Sequence, residues 1–117
     1  MITELEENQR FVFGSNICGS HAGGAAKQAH EQFGAEWGVG EGLTGMCYAF
    51  PTLNENMEQY SHVEMLAIVQ TFYRCVRAHP ELTFLLTPVG TGIAGYTKEY
   101  IQTLFADLPS NVKKVGW

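Results

Sequence analysis

The sequence predicts an α/β protein: a small, mostly parallel sheet flanked by helices, in one domain covering residues 1–117. Three observations predict it. Short apolar runs alternate with amphipathic stretches in the order β, α, β, α, β, α, β, the pattern of strands joined by helices across a parallel sheet. The chain has 117 residues, room for one core and not two. Hydrophobic residues make up 45%, an ordinary globular share, so that core can be filled.

The elements follow in order after an acidic lead, Thr3 to Glu7. Phe11-Val12-Phe13 is a compact strand ended by Gly14-Ser15-Asn16. Gly23 to Phe33 reads as a helix, with Ala25, Ala26, Ala29 and Phe33 at helical spacing and Gly34 as its stop. Gly38 to Gly45 holds four glycines in eight residues and is expected to be a loop. Met46 to Phe50 is a second strand, closed by Pro51. Ser61 and Glu64 form a capping box that starts a helix running to His79. Met65, Ile68, Val69, Phe72, Cys75 and Val76 make its apolar stripe, and Pro80 ends it. Leu82 to Val89 is nearly all apolar or β-branched, the pattern of a strand buried on both faces. A third helix is expected from Thr97, its N-cap, to Pro109, with Ile101, Leu104, Phe105 and Leu108 inward. Val112 to Val115 is a short last strand. About four strands are legible in this way.

Charge narrows the function. The net charge of −5, with seven Lys and Arg in all, argues against a protein that grips a nucleic-acid backbone. No apolar run approaches the roughly 18 residues of a membrane span, and the acidic start is unlike a signal peptide. Cys18, Cys47 and Cys75 are odd in number and show no metal-ligand spacing. They read as reduced thiols in a cytoplasmic protein, with no metal and no cofactor expected. A small anion remains possible as ligand, because backbone N–H groups and helix N-termini hold phosphates without basic side chains.

In an open parallel sheet, ligands bind at the carboxyl ends of the strands. Three of the strands run directly into special loops there. The first gives Gly14, Ser15 and Asn16, then Gly19, His21, Gly23, Gly24 and Ala25 at the start of a helix. The second gives Pro51 and Thr52. The third gives Gly90, Thr91, Gly92, Ile93, Ala94, Gly95 and Tyr96 before another helix. Glycine lets a diphosphate approach the backbone closely, and both glycine-rich stretches lead to helix starts that favour negative charge. Two such cradles on one edge suit a diphosphate between two sugars. Neither is a Walker A loop, and neither matches the Rossmann fingerprint.

These same residues carry a resemblance. Phe11 to Lys27 (FVFGSN-x-x-G-x-H-x-G-G-A-A-K), Gly38 to Thr52 (G-x-G-E-G-L-x-G-x-x-Y-A-F-P-T) and Pro88 to Gly95 (P-V-G-T-G-I-A-G) resemble, in register, macro domains. The likeness is greatest to their small bacterial and bacteriophage branch. It implies a macro-like fold with ADP-ribose, or a closely related NAD-derived nucleotide, bound in the cleft above the sheet. Asn16 falls where macro proteins place an Asn near the distal ribose, His21 to Ala25 match the first phosphate loop, and Gly90 to Tyr96 match the second, with Tyr96 placed to cover a ribose. The partner so implied is a free nucleotide or an ADP-ribosylated protein. For a phage protein the resemblance implies sequestering an NAD-derived immune signal.

One glutamate-specific class of macro hydrolases uses a Lys after the second strand and an Asp in the last glycine loop. The matching positions here are Leu53 and Ala94, which can neither form a lysyl adduct nor transfer a proton. The leading expectation is therefore a non-catalytic reader or sequestering protein. The alternative is an ADP-ribosyl hydrolase or ADP-ribose 1″-phosphate phosphatase working through an ordered water. Its candidate catalytic residues are Asn16, His21 and Glu41. His21 is the best single candidate for general acid/base work, because histidine as a residue type has an unperturbed pKa near neutrality, but a ligand hydrogen bond or a loop brace is the favoured reading. Glu41 reads as a solvated loop acid, an orienter of a ribose hydroxyl, or a base. An adaptor that binds protein through the same cleft is the third reading.

Overall fold

The computed structural model describes residues 2–117; Met1, the first residue of the expected domain, lies outside them. Five strands form one sheet: β1 (Gln9–Asn16), β2 (Gly42–Thr44), β3 (Cys47–Leu53), β4 (Thr83–Leu86) and β5 (Val112–Lys114). Three helices accompany them: α1 (Gly24–Phe33), α2 (His62–Ala78) and α3 (Lys98–Leu104). The spatial order is β2-β3-β1-β4-β5. β1 pairs in parallel with β3 and β4, and β4 with β5, whereas β2 is antiparallel to β3. Residues 2–117 thus make a single α/β domain with a mixed sheet.

The alternation of side chains along each strand divides the core in two. Val12, Tyr48, Phe50, Phe84 and Leu86 face α2 and α3 together with Met65, Phe72 and Ile101. Phe11, Phe13, Cys47 and Ala49 face the opposite way, toward Ala26, Ala29 and Phe33 of α1. The expected stripe of α2 is the face that packs, and its capping box forms as read: the Ser61 side chain accepts from Glu64 N–H, and Glu64 reaches back to Ser61 N–H at 2.9 Å. Gly34 ends α1 in the left-handed conformation, φ 80.

Several expectations need correction. The Gly38–Gly45 segment is not all loop, because Gly42–Thr44 folds back on β3 as an edge strand through the two-residue turn Gly45–Met46, with Gly45 at φ 56. A Gly-X turn between apolar pairs is a hairpin signal that the glycine count obscured. Pro51 does not close β3, which continues to Leu53. The last β2–β3 pair is Gly42 with Ala49, so Pro51 lies beyond the ladder that would have used its missing N–H. β4 is shorter than Leu82 to Val89 and alternates between half-buried and buried residues. α1 covers β1 and β3 but leaves that face of β4 partly open; the strand buried throughout is β3. α3 starts as expected after Thr97, whose side chain accepts from Tyr100 N–H, but ends at Leu104 rather than Pro109. Among the described residues no helix is long and apolar enough to cross a membrane.

Candidate functional site

β1 lies at the centre of the sheet; the chain passes from it through α1 and β2 to β3 on one side, and then from β3 through α2 to β4 on the other. That reversal is a topological switch point, where the loops leaving neighbouring strands part and open a crevice. A cleft of about 250 Å³ occupies it, at the carboxyl ends of β1, β3 and β4.

Each wall follows from local sequence. One wall is the start of α1: Gly23, Gly24, Ala25 and Ala26 line the cleft. Gly23 is the N-cap and has no side chain with which to cap. The N–H groups of this first turn therefore meet no side-chain acceptor, and the helix dipole adds positive potential. The facing loop contributes Gly90, Gly92, Ile93 and Ala94. Among the described residues the N–H groups of Gly92, Ile93 and Ala94 also meet no protein acceptor. The floor is Gly14, Ser15, Thr52 and Thr87, with the Thr52 hydroxyl donating to Ser15 O at 3.2 Å and that of Thr87 to Val12 O at 2.6 Å. Glycine is required at position 14 by close approach, since a Cβ there would lie 2.9 Å from Gly90 N.

The second glycine loop is held from behind. The Tyr96 hydroxyl donates to Thr52 O at 3.0 Å and accepts from Tyr60 N–H at 2.9 Å. Burial is the main cause that raises the pKa of this phenol, so it remains a neutral donor. The Gln59 side-chain amide donates to Ala94 O at 2.7 Å, pinning the loop to the turn after β3.

Of the residues expected at the site, Gly14, Ser15, Asn16, Gly23, Gly24, Ala25, Thr52, Gly90, Gly92, Ile93 and Ala94 line this one cleft. Asn16 is largely spent on structure: its amide nitrogen donates to Ser20 O at 2.8 Å and its oxygen accepts from Ser20 N–H at 3.1 Å.

The rest lie elsewhere. His21 is only 1% exposed and does not line the cleft. Its ring packs against Phe13, His30 and Trp37, with Nε2 2.8 Å from Glu36 O. A carbonyl only accepts, so Nε2 carries the hydrogen and Nδ1 is left buried without a partner among the described residues. Gly19 is buried against the backbone of Gly38 and Val39. Glu41 is exposed and does not line the cleft, although its neighbour Gly40 accepts through its carbonyl from the Ser15 hydroxyl on the floor. Pro51 is buried in β3. The Thr91 hydroxyl turns back to Pro88 O at 2.7 Å. Gly95 and Tyr96 border a separate, shallower hollow with Tyr60 and Tyr100. Tyr96 is 9% exposed and acts as a post behind the loop, because its hydroxyl is engaged on both sides.

Sequence reasoning missed Ala26, Met57 and the Thr87–Val89 segment, all of which line the cleft, whereas Ser20 and Ala22 fall in the first loop it expected there. The position of Thr87–Val89 at the carboxyl end of β4 was a usable signal. Nothing local marks Met57.

Among the described residues, no Lys, Arg, Asp, Glu or His lines the cleft, and no cluster able to hold a metal ion occurs. The site thus offers backbone N–H donors, hydroxyls and apolar surface, with no group suited to transfer a proton near neutrality. No known protein family, curated protein or solved structure matches the chain.

Proposed function

We propose that this protein binds ADP-ribose or a closely related NAD-derived nucleotide in the switch-point cleft and holds it without cleaving it. The observation that carries this reading is the pairing of two donor-rich walls, the uncapped start of α1 and the Gly90–Ala94 loop, across a cleft without charged side chains. Backbone donors of this kind suit a diphosphate, and the hydroxyls of Ser20 and Thr87 suit sugars. The absence of any titratable lining group favours holding over hydrolysis. Leu53 and Ala94, the positions that a lysyl mechanism needs, both line the cleft and are chemically inert. Such a site fits a reader of ADP-ribosylated protein or a protein that sequesters a free signal.

Calorimetry tests the reading. ADP-ribose is expected to bind one-to-one, and AMP more weakly, because AMP lacks the second phosphate and the distal ribose. Equal affinity for the two, or binding of neither, overturns it.

A further inference from the structure

The turn that follows β3 carries an unexplained strain. Leu53 bridges to Gln59, and within that loop Asn54 N–H donates to Glu58 O at 2.8 Å and Met57 N–H to Asn54 O at 2.9 Å. The Asn54 side-chain oxygen accepts from both Asn56 N–H and Glu58 N–H. This framework holds Met57 at φ 59, the left-handed region in which glycine or asparagine sits with less strain. Unbranched methionine gains nothing for the turn there. It does gain a place at the cleft: Met57 is 52% exposed and yet lines it.

It is not alone at the rim. Ile93, 83% exposed, lines the same cleft, and its Cδ1 lies 3.8 Å from where a Cβ on Gly23 would be. The Gln59 amide joins the two loops by its bond to Ala94 O. A phosphate has no use for exposed apolar side chains, and the hydroxyl-rich edge of a sugar has little. A planar ring has more, and a polarizable thioether makes favourable contacts with aromatic rings.

We propose that Met57 is a specificity-determining residue that reads a heteroaromatic ring of the bound nucleotide. This rests on nucleotide binding in the cleft. The strain at Met57 is retained because the side chain that best relieves it would lose the ring contact.

The test compares wild type with Met57→Asn and Met57→Leu, using ADP-ribose, NAD and inorganic pyrophosphate as probes in calorimetry and competition. Met57→Asn is expected to raise the unfolding temperature without ligand. It should weaken ADP-ribose, NAD or both between about twofold and tenfold, the range of a sulfur–ring contact, and leave pyrophosphate unchanged. Met57→Leu should keep most of the nucleotide affinity. Unchanged nucleotide binding by Met57→Asn, an equal loss for pyrophosphate, or a lowered unfolding temperature overturns the assignment. If wild type binds neither nucleotide, the nucleotide reading itself fails and the assignment falls with it.

Discussion

The Tyr96 hydroxyl donates 3.0 Å to the carbonyl oxygen of Thr52, joining the entry of α3 to the last turn of β3 directly beneath the cleft floor. The same hydroxyl accepts from Tyr60 N–H. Tyr96→Phe therefore orphans a buried acceptor and a backbone donor together, and is expected to destabilise the fold by about 1–3 kcal/mol in chemical denaturation. Tyr100→Phe, which loses only an exposed bond to His62, should cost far less. Equal effects would show that the buried pair is not what holds the loop. Burial also raises the phenol pKa of Tyr96 above 10.0. Its contribution is full below that pH and is lost as pH rises through the folded pKa.

Gly92 and Gly24 separate binding from folding. Gly92 has an ordinary φ, and an added Cβ would meet nothing within 4 Å, so Gly92→Glu should fold normally. Its carboxylate would enter the cleft, and nucleotide affinity should fall at least tenfold, about 1.4 kcal/mol. Gly24 is equally open but sits at φ 59, so Gly24→Glu adds about 1–2 kcal/mol of backbone strain. Thermal unfolding beside calorimetry reads both effects. Normal binding by Gly92→Glu would move the ligand elsewhere.

Catalysis is expected to be absent. Glutamate-linked ADP-ribose should survive prolonged incubation with the protein, and denaturation should release free nucleotide intact. Glu41→Gln should bind as wild type does, since the Glu41 side chain is exposed and does not line the cleft. His21→Ala should lower stability through the loss of a buried ring. Leu53→Lys combined with Ala94→Asp is expected to give slow turnover. Multiple turnovers by wild type would replace the holding role with an enzymatic one.

The three cysteines should label at very different rates. Cys18 is exposed, whereas burial raises the Cys75 thiol and pushes Cys47 up to about 12. A thiol reagent at neutral pH should modify Cys18 first, Cys75 slowly, and Cys47 only on unfolding. Prompt loss of all three thiols in native protein would contradict the buried face that packs on α1.

The start of α2 should show a pH signature. Hydrogen bonds from Ser61 lower the Glu64 pKa below 4.5. The stabilisation is therefore present above that pH and lost as pH falls through the lowered value. Ser61→Ala should cost about 1 kcal/mol through the lost cap, whereas Glu64→Gln removes the carboxylate that accepts from Ser61 N–H, and its gap to wild type should shrink in acid. A gap independent of pH would assign the effect to the serine alone.

Legibility followed the range of the forces involved. The α2 boundaries, the Thr97 cap, the Gly34 stop and the strand–glycine–helix order around Gly90 were readable because caps and periodicity act within a few residues, whereas Gly14 to Asn16, expected to end the first strand, belong to β1. β2 was misread because edge pairing competes with the glycine content of its own segment. The double burial expected of Leu82 to Val89 failed because the position of α1, not the composition of the strand, sets which faces are covered.

At the cleft the same division holds. The sequence by itself determined that glycine-rich backbone would gather at one sheet edge, since parallel strands must end together. Only the tertiary structure decided which polar groups remain available there. It buried His21 beneath Trp37, turned the Tyr96 hydroxyl onto Thr52 and spent much of the Asn16 amide on Ser20. It also brought Met57 to the rim through a turn that nothing local announces. Hydrogen-bond capacity is finite, and which donor meets which acceptor is settled only when segments far apart in the chain are packed together.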